Sequence, residues 1–172
     1  ADLLDGLFPA MPLTRFDAAQ IHDYLDPTAV PSVVVMNPPF SSLINVEGRV
    51  GDAGFRHIQS ALHRLAPGGR LVTITGANVG PEMPGWRDAF SRLQANCKIV
   101  FSAAIDGAVY ARHGTTFPTR LTVIDKIPAD HADQFPPSPG IAPDVATLMS
   151  WVEQHVPPRH PVSSPAFSPA SI

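Results

Sequence analysis

Asn37-Pro38-Pro39-Phe40, which follows directly on the apolar run 33–36, is the segment of this chain best suited to chemistry. The Asn37 side chain and the Pro38 carbonyl each offer a hydrogen-bond acceptor. Proline fixes φ and has no N–H, so the two prolines restrain the loop before any ligand arrives. Phe40 adds an aromatic face. These positions predict a rigid pair of acceptors beside a stacking surface.

Two adjacent acceptors suit an amine that is attached to an aromatic ring. Such an amine is a poor nucleophile because its lone pair is delocalised into the ring. Hydrogen bonds from the amine to Asn37 and to the Pro38 carbonyl would draw the nitrogen toward sp³ geometry and localise that lone pair. Nucleobases carry amines of this kind, and Phe40 could stack on a flipped base. The alternative is that Asn-Pro-Pro is only a turn after a strand.

Strands and helices alternate around this segment. The β-branched run from Val30 to Met36 is typical of a strand that is buried on both faces. Further strands are predicted at 13–16, 70–75, 98–105 and 119–127, and helices at 1–9, 18–25, 52–66 and 86–95. This alternation predicts an α/β fold with a parallel sheet flanked by helices. Residues 106–118 lack a helical pattern, so the last two strands could be antiparallel neighbours.

Composition restricts the class of protein. The 172 residues are 44% hydrophobic and 16% charged, which is typical of a globular domain, and the net charge of −3 gives no global basic field to attract nucleic acid. The single cysteine, Cys97, excludes an intramolecular disulfide framework and fits a reducing compartment. We find no signal peptide and no long apolar run, so we expect a cytoplasmic protein. The seven histidines show no metal spacing with Cys97, and we expect no metal site.

Proline content divides the chain. Half of the 20 prolines lie in residues 128–172. We therefore predict a partial domain over 1–127 and a Pro-rich C-terminal linker or tail over 128–172, with a short helix near 145–156.

VVVMNPPF resembles motif IV, the catalytic motif of the S-adenosylmethionine-dependent amino-methyltransferases, and the version with Phe40 is most similar to the N6-adenine DNA methyltransferases. Three further segments resemble parts of that family in its gamma-type order. LTRFDA is similar to the segment that meets the adenine of the cofactor. LHRLAPGGRLVTIT is similar to the helix, turn and fifth strand, and TTFPTRLTVIDK to the final antiparallel hairpin. The resemblance covers about residues 1–127.

The resemblance implies methyl transfer to an exocyclic amine, and among such amines it favours adenine N6 in DNA. It implies that the catalytic residues are Asn37, Pro38, Pro39 and Phe40. RNA guanine-N2 or a protein glutamine are alternative substrates, because their nitrogens meet the same acceptors. A non-catalytic module of a larger methyltransferase–helicase-type protein, fused to a helicase or another domain, is a further alternative.

The resemblance also implies contacts outside motif IV. Asp17 and Ala18 would bind S-adenosylmethionine, and Phe117 would form a second aromatic wall of the target-base pocket. Asp17 could equally cap the helix at 18–25, and Phe117 could anchor its own loop. Arg112 and Arg120 flank that loop and could touch phosphate or lie on a solvated face.

The family fold is a Rossmann-like class I methyltransferase sheet in the order 3-2-1-4-5-7-6, with a glycine-rich turn after strand 1 and an acidic residue at the end of strand 2. Neither feature occurs upstream of Asn37. We therefore expect an incomplete sheet in which strands 1 and 2 are missing. The chain begins with Ala1 rather than Met, so we expect either a piece of a longer protein whose first part is missing, or a chain in which residues 10–17 pair with the strand at Val33 or pack irregularly. In either case we expect the chain to bind the cofactor poorly by itself.

Overall fold

The structure, a computed structural model, describes residues 17–38 and 53–162. A 3-10 helix at Ala18–Gln20 leads into helix α1 at Ile21–Tyr24, and a second 3-10 helix covers Gly107–His113. The other helices are α2 (Ala53–Arg64), α3 (Arg87–Leu93) and α4 (Val145–His155). The strands are β1 (Val33–Met36), β2 (Arg70–Gly76), β3 (Lys98–Ile105), β4 (Thr119–Asp125) and β5 (Ile141–Ala142). No described helix has the length and hydropathy needed to cross a membrane. The helix and strand predicted at 1–9 and 13–16 lie outside the described residues.

The strands form one mixed sheet in the order β1-β2-β4-β3-β5. β1 pairs with β2, and β3 with β5, in parallel, while β4 runs antiparallel to both β2 and β3. The predicted α/β class is confirmed, and the predicted antiparallel pairing of the last two long strands is observed. The order of the four longer strands corresponds to the 4-5-7-6 half of the family sheet.

Helices α2 and α3 cover one face of the sheet. The helix predicted at 52–66 is observed as α2 and buries an apolar stripe there, with Phe55, Ile58 and Leu62 packed against Leu71 of β2 and Ile124 of β4. Spacing these side chains three or four residues apart places them on one side of the helix, where burial removes them from water. This packing fixes α2, which follows the segment 37–40 in the chain, against the central strands.

Helix α4 and strand β5 cover the other face and extend the sheet beyond β3. Leu148 packs with Phe101, Ala103 and Val123 in a second apolar cluster. Asp144 caps α4, since its carboxylate accepts a hydrogen bond from the Thr147 amide at 2.7 Å. The segment 128–162 therefore contributes to the sheet and to its core, and the division of the chain at residue 127 stays a prediction.

Strand β1 differs from its sequence expectation. We expected burial on both faces, but Val35 is 77% exposed and Val33 is also exposed, while Val34 and Met36 are partly buried beneath α2. The apolar cluster beneath α4 contains no β1 residue. The expectation was wrong because α4 packs on the β3 half of the sheet, so one face of β1 is not covered in the described part of the chain.

Candidate functional site

The carboxyl end of β1 and the start of β4 lie at one edge of the sheet. Parallel pairing brings the ends of β1 and β2 to the same edge, and the pairing of Gly76 with Thr119 places the start of β4 there as well. Asn37 and Phe117 flank these strand ends. Neighbouring strands are about 4.8 Å apart, and β2 continues for three residues beyond the end of β1 before it reaches the start of β4. The ends of β1 and β4 are therefore on the order of 14 Å apart, at about 3.3 Å per residue along the strands. Asn37 and Phe117, which are far apart in sequence, thus lie at the same edge, where open α/β sheets bind ligands.

Asn37 and Pro38 have opposite environments. Asn37 is exposed, whereas Pro38 is buried. Burial of the proline ring anchors the backbone directly after β1, and Asn37 is left facing solvent at the strand end. Pro39 and Phe40 lie outside the described residues, so their predicted roles remain predictions.

Phe117 lies across the end of β2. A Cβ built on Gly76 would stand 3.4 Å from Cε1 and 3.7 Å from Cζ of the Phe117 ring, in ordinary van der Waals contact, so the ring lies beside the last residue of β2. The residue as a whole is still 45% exposed. The adjoining backbone is fixed on both strands, since the Ala77 amide donates to the Pro118 carbonyl at 3.1 Å. The arrangement offers a positioned aromatic surface that a planar ligand can reach.

The loop that carries Phe117 is built from elements that the sequence analysis missed. Residues 107–113 form a 3-10 helix rather than an irregular loop, with Asp106 as its cap through a 2.8 Å bond from the Ala108 amide. A Cβ on Gly107 would stand 1.8 Å from the Thr116 carbonyl oxygen, so the two ends of the loop touch backbone to backbone. Asp106 followed by a glycine was the available signal, because aspartate is a common helix cap.

Tyr110 anchors the same 3-10 helix to the sheet. Its hydroxyl lies 3.0 Å from Oγ1 of Thr119, which is buried at the start of β4. Beyond it, residues 111–118 are all exposed, and they include the basic side chains of Arg112 and His113. The loop is therefore pinned at its base and open at its tip.

Asp17 serves as a helix cap. Its Oδ1 accepts a hydrogen bond from the Ala19 amide at 2.9 Å, and the carboxylate is exposed. Ala18 is the first residue of the 3-10 helix that packs beside α2. Because it is exposed, the carboxylate can accept a further hydrogen bond from an amine, which fits the predicted contact with the cofactor's adenine. That contact stays a prediction.

Arg120 is not on a solvated face, and its side chain is not available to phosphate. Only 3% of the residue is exposed, and its guanidinium donates to the Ala77 carbonyl at 3.1 Å and to Oγ of Ser102 at 3.0 Å. It also forms an ion pair with Glu82. The expectation failed because strand alternation turns Arg120 inward, under the loop that follows β2.

A cavity lies between α2 and α3, away from the sheet edge that carries Asn37 and Phe117. It has a volume of about 630 Å³ and includes His63, Arg92, Cys97 and Lys126 in its lining. Burial raises the pKa of the Cys97 thiol, which keeps the sulfur protonated and a weak nucleophile. Lys126 is engaged by the end of α2, where its ammonium donates to the His63 carbonyl at 3.0 Å. No group of three or more potential metal ligands comes together in residues 17–38 and 53–162.

No protein-family model and no curated protein matches the chain. Several solved structures are similar to the chain. One, from Vibrio vulnificus YJ016, is assigned as a modification subunit of a type I restriction enzyme; it has a TM-score of 0.52 and 13% identity over 84% of this chain and 35% of its own. The M protein of the type I restriction enzyme EcoKI has a TM-score of 0.50 and 18% identity over 69% of this chain and 25% of its own. An assigned class I S-adenosylmethionine-dependent methyltransferase from Listeria monocytogenes has a TM-score of 0.47 and 12% identity over 71% of this chain and 42% of its own.

These similarities show the fold. The sheet of this chain has the architecture of the corresponding sheets in the EcoKI and Vibrio vulnificus subunits. The chain spans about a third of the Vibrio vulnificus subunit and a quarter of the EcoKI subunit.

Proposed function

We propose that this chain forms the target-amine site of an S-adenosylmethionine-dependent methyltransferase that acts on an exocyclic amine of nucleic acid, most specifically on adenine N6 in DNA. The observation that carries the proposal is the shared sheet edge: exposed Asn37 follows β1, and the reachable ring of Phe117 lies over the end of β2.

Asn37 and the Pro38 carbonyl would each accept one hydrogen bond from the amine. The buried Pro38 ring holds the backbone between these acceptors, so little conformational entropy is lost when the amine is held. Phe117 would stack on the base and orient its amine toward Asn37, with Phe40 as the second aromatic surface. Bound S-adenosylmethionine would supply an electrophilic methyl group, and Asp17 together with Ala18 would hold its adenine.

A nucleic-acid substrate is favoured over a protein glutamine. Phe117, a residue that is 45% exposed, offers a base a flat stacking face, which a glutamine side chain does not need. Arg112 and His113 are exposed on the same loop and can contact phosphate. The solved modification subunits named above belong to restriction enzymes, which agrees with DNA as the substrate.

A methyl-transfer assay tests the proposal. The longer protein from which we expect this chain to derive is incubated with labelled S-adenosylmethionine at saturating concentration and with separate pools of DNA, RNA and protein. We expect label on adenine in DNA, and a loss of about a hundredfold or more in Asn37→Ala, since the amine loses an acceptor in the reacting geometry.

Asn96→Ala is the matched control, because Asn96 is also an exposed asparagine, but it precedes β3 and so lies at the opposite edge of the sheet. Its activity should equal that of the parent chain. Label that appears only on RNA guanine or on protein would replace the DNA substrate. Equal transfer by the parent and by Asn37→Ala, or no transfer to any pool, would refute the proposed role of the site.

A further inference from the structure

We infer that Arg120 is the positioning residue of this site: its buried guanidinium holds the loop 77–82 against the sheet edge and thereby fixes the position of the Phe117 ring. The inference rests on the proposed function, because it assigns Arg120 a task in presenting the stacking surface for the target base.

The guanidinium joins the loop after β2 to the sheet. Its Nε donates to the Ala77 carbonyl at the start of the loop, and one terminal nitrogen donates to Ser102 of β3 and pairs with Glu82 at the end of the loop. A planar guanidinium has donors that point in several fixed directions, which suits it to holding three partners at once. Arg120 thus fixes the loop at both ends.

The loop is shaped around this cation. A Cβ on Gly80 would stand 2.7 Å from Nε and 2.9 Å from Cζ of Arg120, so the Gly80 backbone lies directly on the guanidinium. Pro81 next to it is fully buried. Hydroxyl groups lie on the other side, where Ser102 lies 3.4 Å from Thr122 across the strand pair. A buried charge with this set of partners is costly to leave unpaired, so the arrangement is held firmly.

The hydrogen bonds continue from Arg120 to the aromatic ring. Ala77 accepts from Arg120 through its carbonyl and donates through its amide to the Pro118 carbonyl at 3.1 Å. Phe117 precedes that proline, and its ring lies on Gly76, which precedes Ala77. A displacement of Ala77 therefore moves both the floor beneath the ring and the backbone that carries it.

The chain contains a matched control at the opposite edge of the sheet. Arg70 is 8% exposed and forms a two-pronged ion pair with buried Asp125, with N–O distances of 2.7 and 2.8 Å. It is a second buried arginine of the same sheet, on β2. Loss of Arg70 should lower stability without reaching the ring.

The first readout is amide hydrogen exchange, which does not depend on any ligand. In Arg120→Met we expect exchange at the Ala77 amide to accelerate about tenfold or more, because its neighbouring carbonyl loses a charged donor, while amides of the sheet centre change only with global stability. In Arg70→Met the Ala77 amide should follow global stability alone. Glu82→Gln and Gly80→Ala, which leave the arginine in place, should accelerate exchange at Ala77 in the same direction.

The second readout is the ratio of dissociation constants for a single-stranded oligonucleotide with one abasic position and the same oligonucleotide with adenine there. Base stacking on Phe117 gives the parent chain a ratio of about ten or more. The ratio should fall toward one in Phe117→Ala and in Arg120→Met, but not in Arg70→Met at a comparable loss of melting temperature.

The two readouts test the proposed function of Phe117 and the positioning role of Arg120 separately. A parent ratio of one overturns the proposed function at Phe117, whatever the exchange data show. Unchanged Ala77 exchange in Arg120→Met and in Glu82→Gln, or equal acceleration in Arg70→Met, overturns the positioning role. If Arg120→Met does not fold, Glu82→Gln and Gly80→Ala decide by the same criteria.

Discussion

At the scale of single residues, the site depends on where the backbone leaves room. The Phe117 ring lies beside Gly76 at the end of β2, and Gly107 lets the two ends of the loop that carries Phe117 touch. The position of Asn37 at the end of a strand could be predicted from the sequence, because the apolar run before it and the two prolines and the aromatic residue after it are a local signal. Arg120 could not, because its inward direction depends on pairing with strands that are distant in sequence.

The Gly107 contact gives a stability prediction. A methyl group at this position would stand 1.8 Å from the Thr116 carbonyl oxygen, so Gly107→Ala must displace backbone. We expect a decrease of about 3 kcal/mol in the free energy of unfolding, measured by urea denaturation. Gly85→Ala is the control, because a Cβ there meets nothing within 4 Å, and it should change stability by less than about 0.5 kcal/mol. Equal values for the two variants would show that the loop ends are not in contact.

At the scale of elements, strands and helices were predicted where the apolar period is clear. The stripe on α2 and the apolar run of β3 indicated elements that are observed at 53–64 and 98–105. The burial of β1 was predicted wrongly, because a β-branched run does not reveal which face a helix will cover. The 3-10 helix at 107–113 was missed, because its residues show no regular apolar spacing. Hydrogen bonds made by Asp106 and Tyr110 stabilise it instead.

Helix α4 offers a test of whether the proline-rich segment belongs to the core. Leu148 is buried against β3, whereas its neighbour Met149 is 49% exposed. Leu148→Ala should lower the free energy of unfolding by about 2 kcal/mol or more, because it removes apolar contacts and leaves a cavity. Met149→Ala should have a much smaller effect. If both variants unfold like the parent in urea, α4 does not stabilise the sheet and the division at residue 127 gains support.

The cap of α4 predicts a pH dependence. Hydrogen bonds from Thr147 lower the pKa of Asp144, the backbone amide first. A carboxyl whose pKa is lower in the folded state stabilises the fold above its unfolded pKa and loses that contribution as the pH falls through the folded pKa. Stability should therefore decline below about pH 4 through this group. In Asp144→Asn, which keeps an acceptor without a charge, the melting temperature should fall less steeply with acid than in the parent; an identical slope would exclude the contribution.

At the scale of the whole molecule, the proposed site depends on a topology that the sequence predicted only in outline. The order β1-β2-β4-β3 brings Asn37 and Phe117, which are distant in sequence, to one edge of the sheet. The resemblance of four short segments to methyltransferase motifs predicted the fold class, and the solved modification subunits confirm the architecture. The position of the Phe117 ring could not be predicted, because it depends on contacts among Arg120, Ala77 and Pro118 that only the folded sheet creates.

The central claim is that Asn37 and its neighbouring carbonyl hold an exocyclic amine, and affinity for a base analogue tests it most directly. Two oligonucleotides differ at one position, which carries either adenine or purine, the same ring without the amine, and their dissociation constants are measured for the parent chain and for Asn37→Ala. Two hydrogen bonds to the amine predict about tenfold tighter binding of adenine by the parent, and a loss of most of that preference in Asn37→Ala. Equal affinity of the parent for adenine and purine would contradict the account.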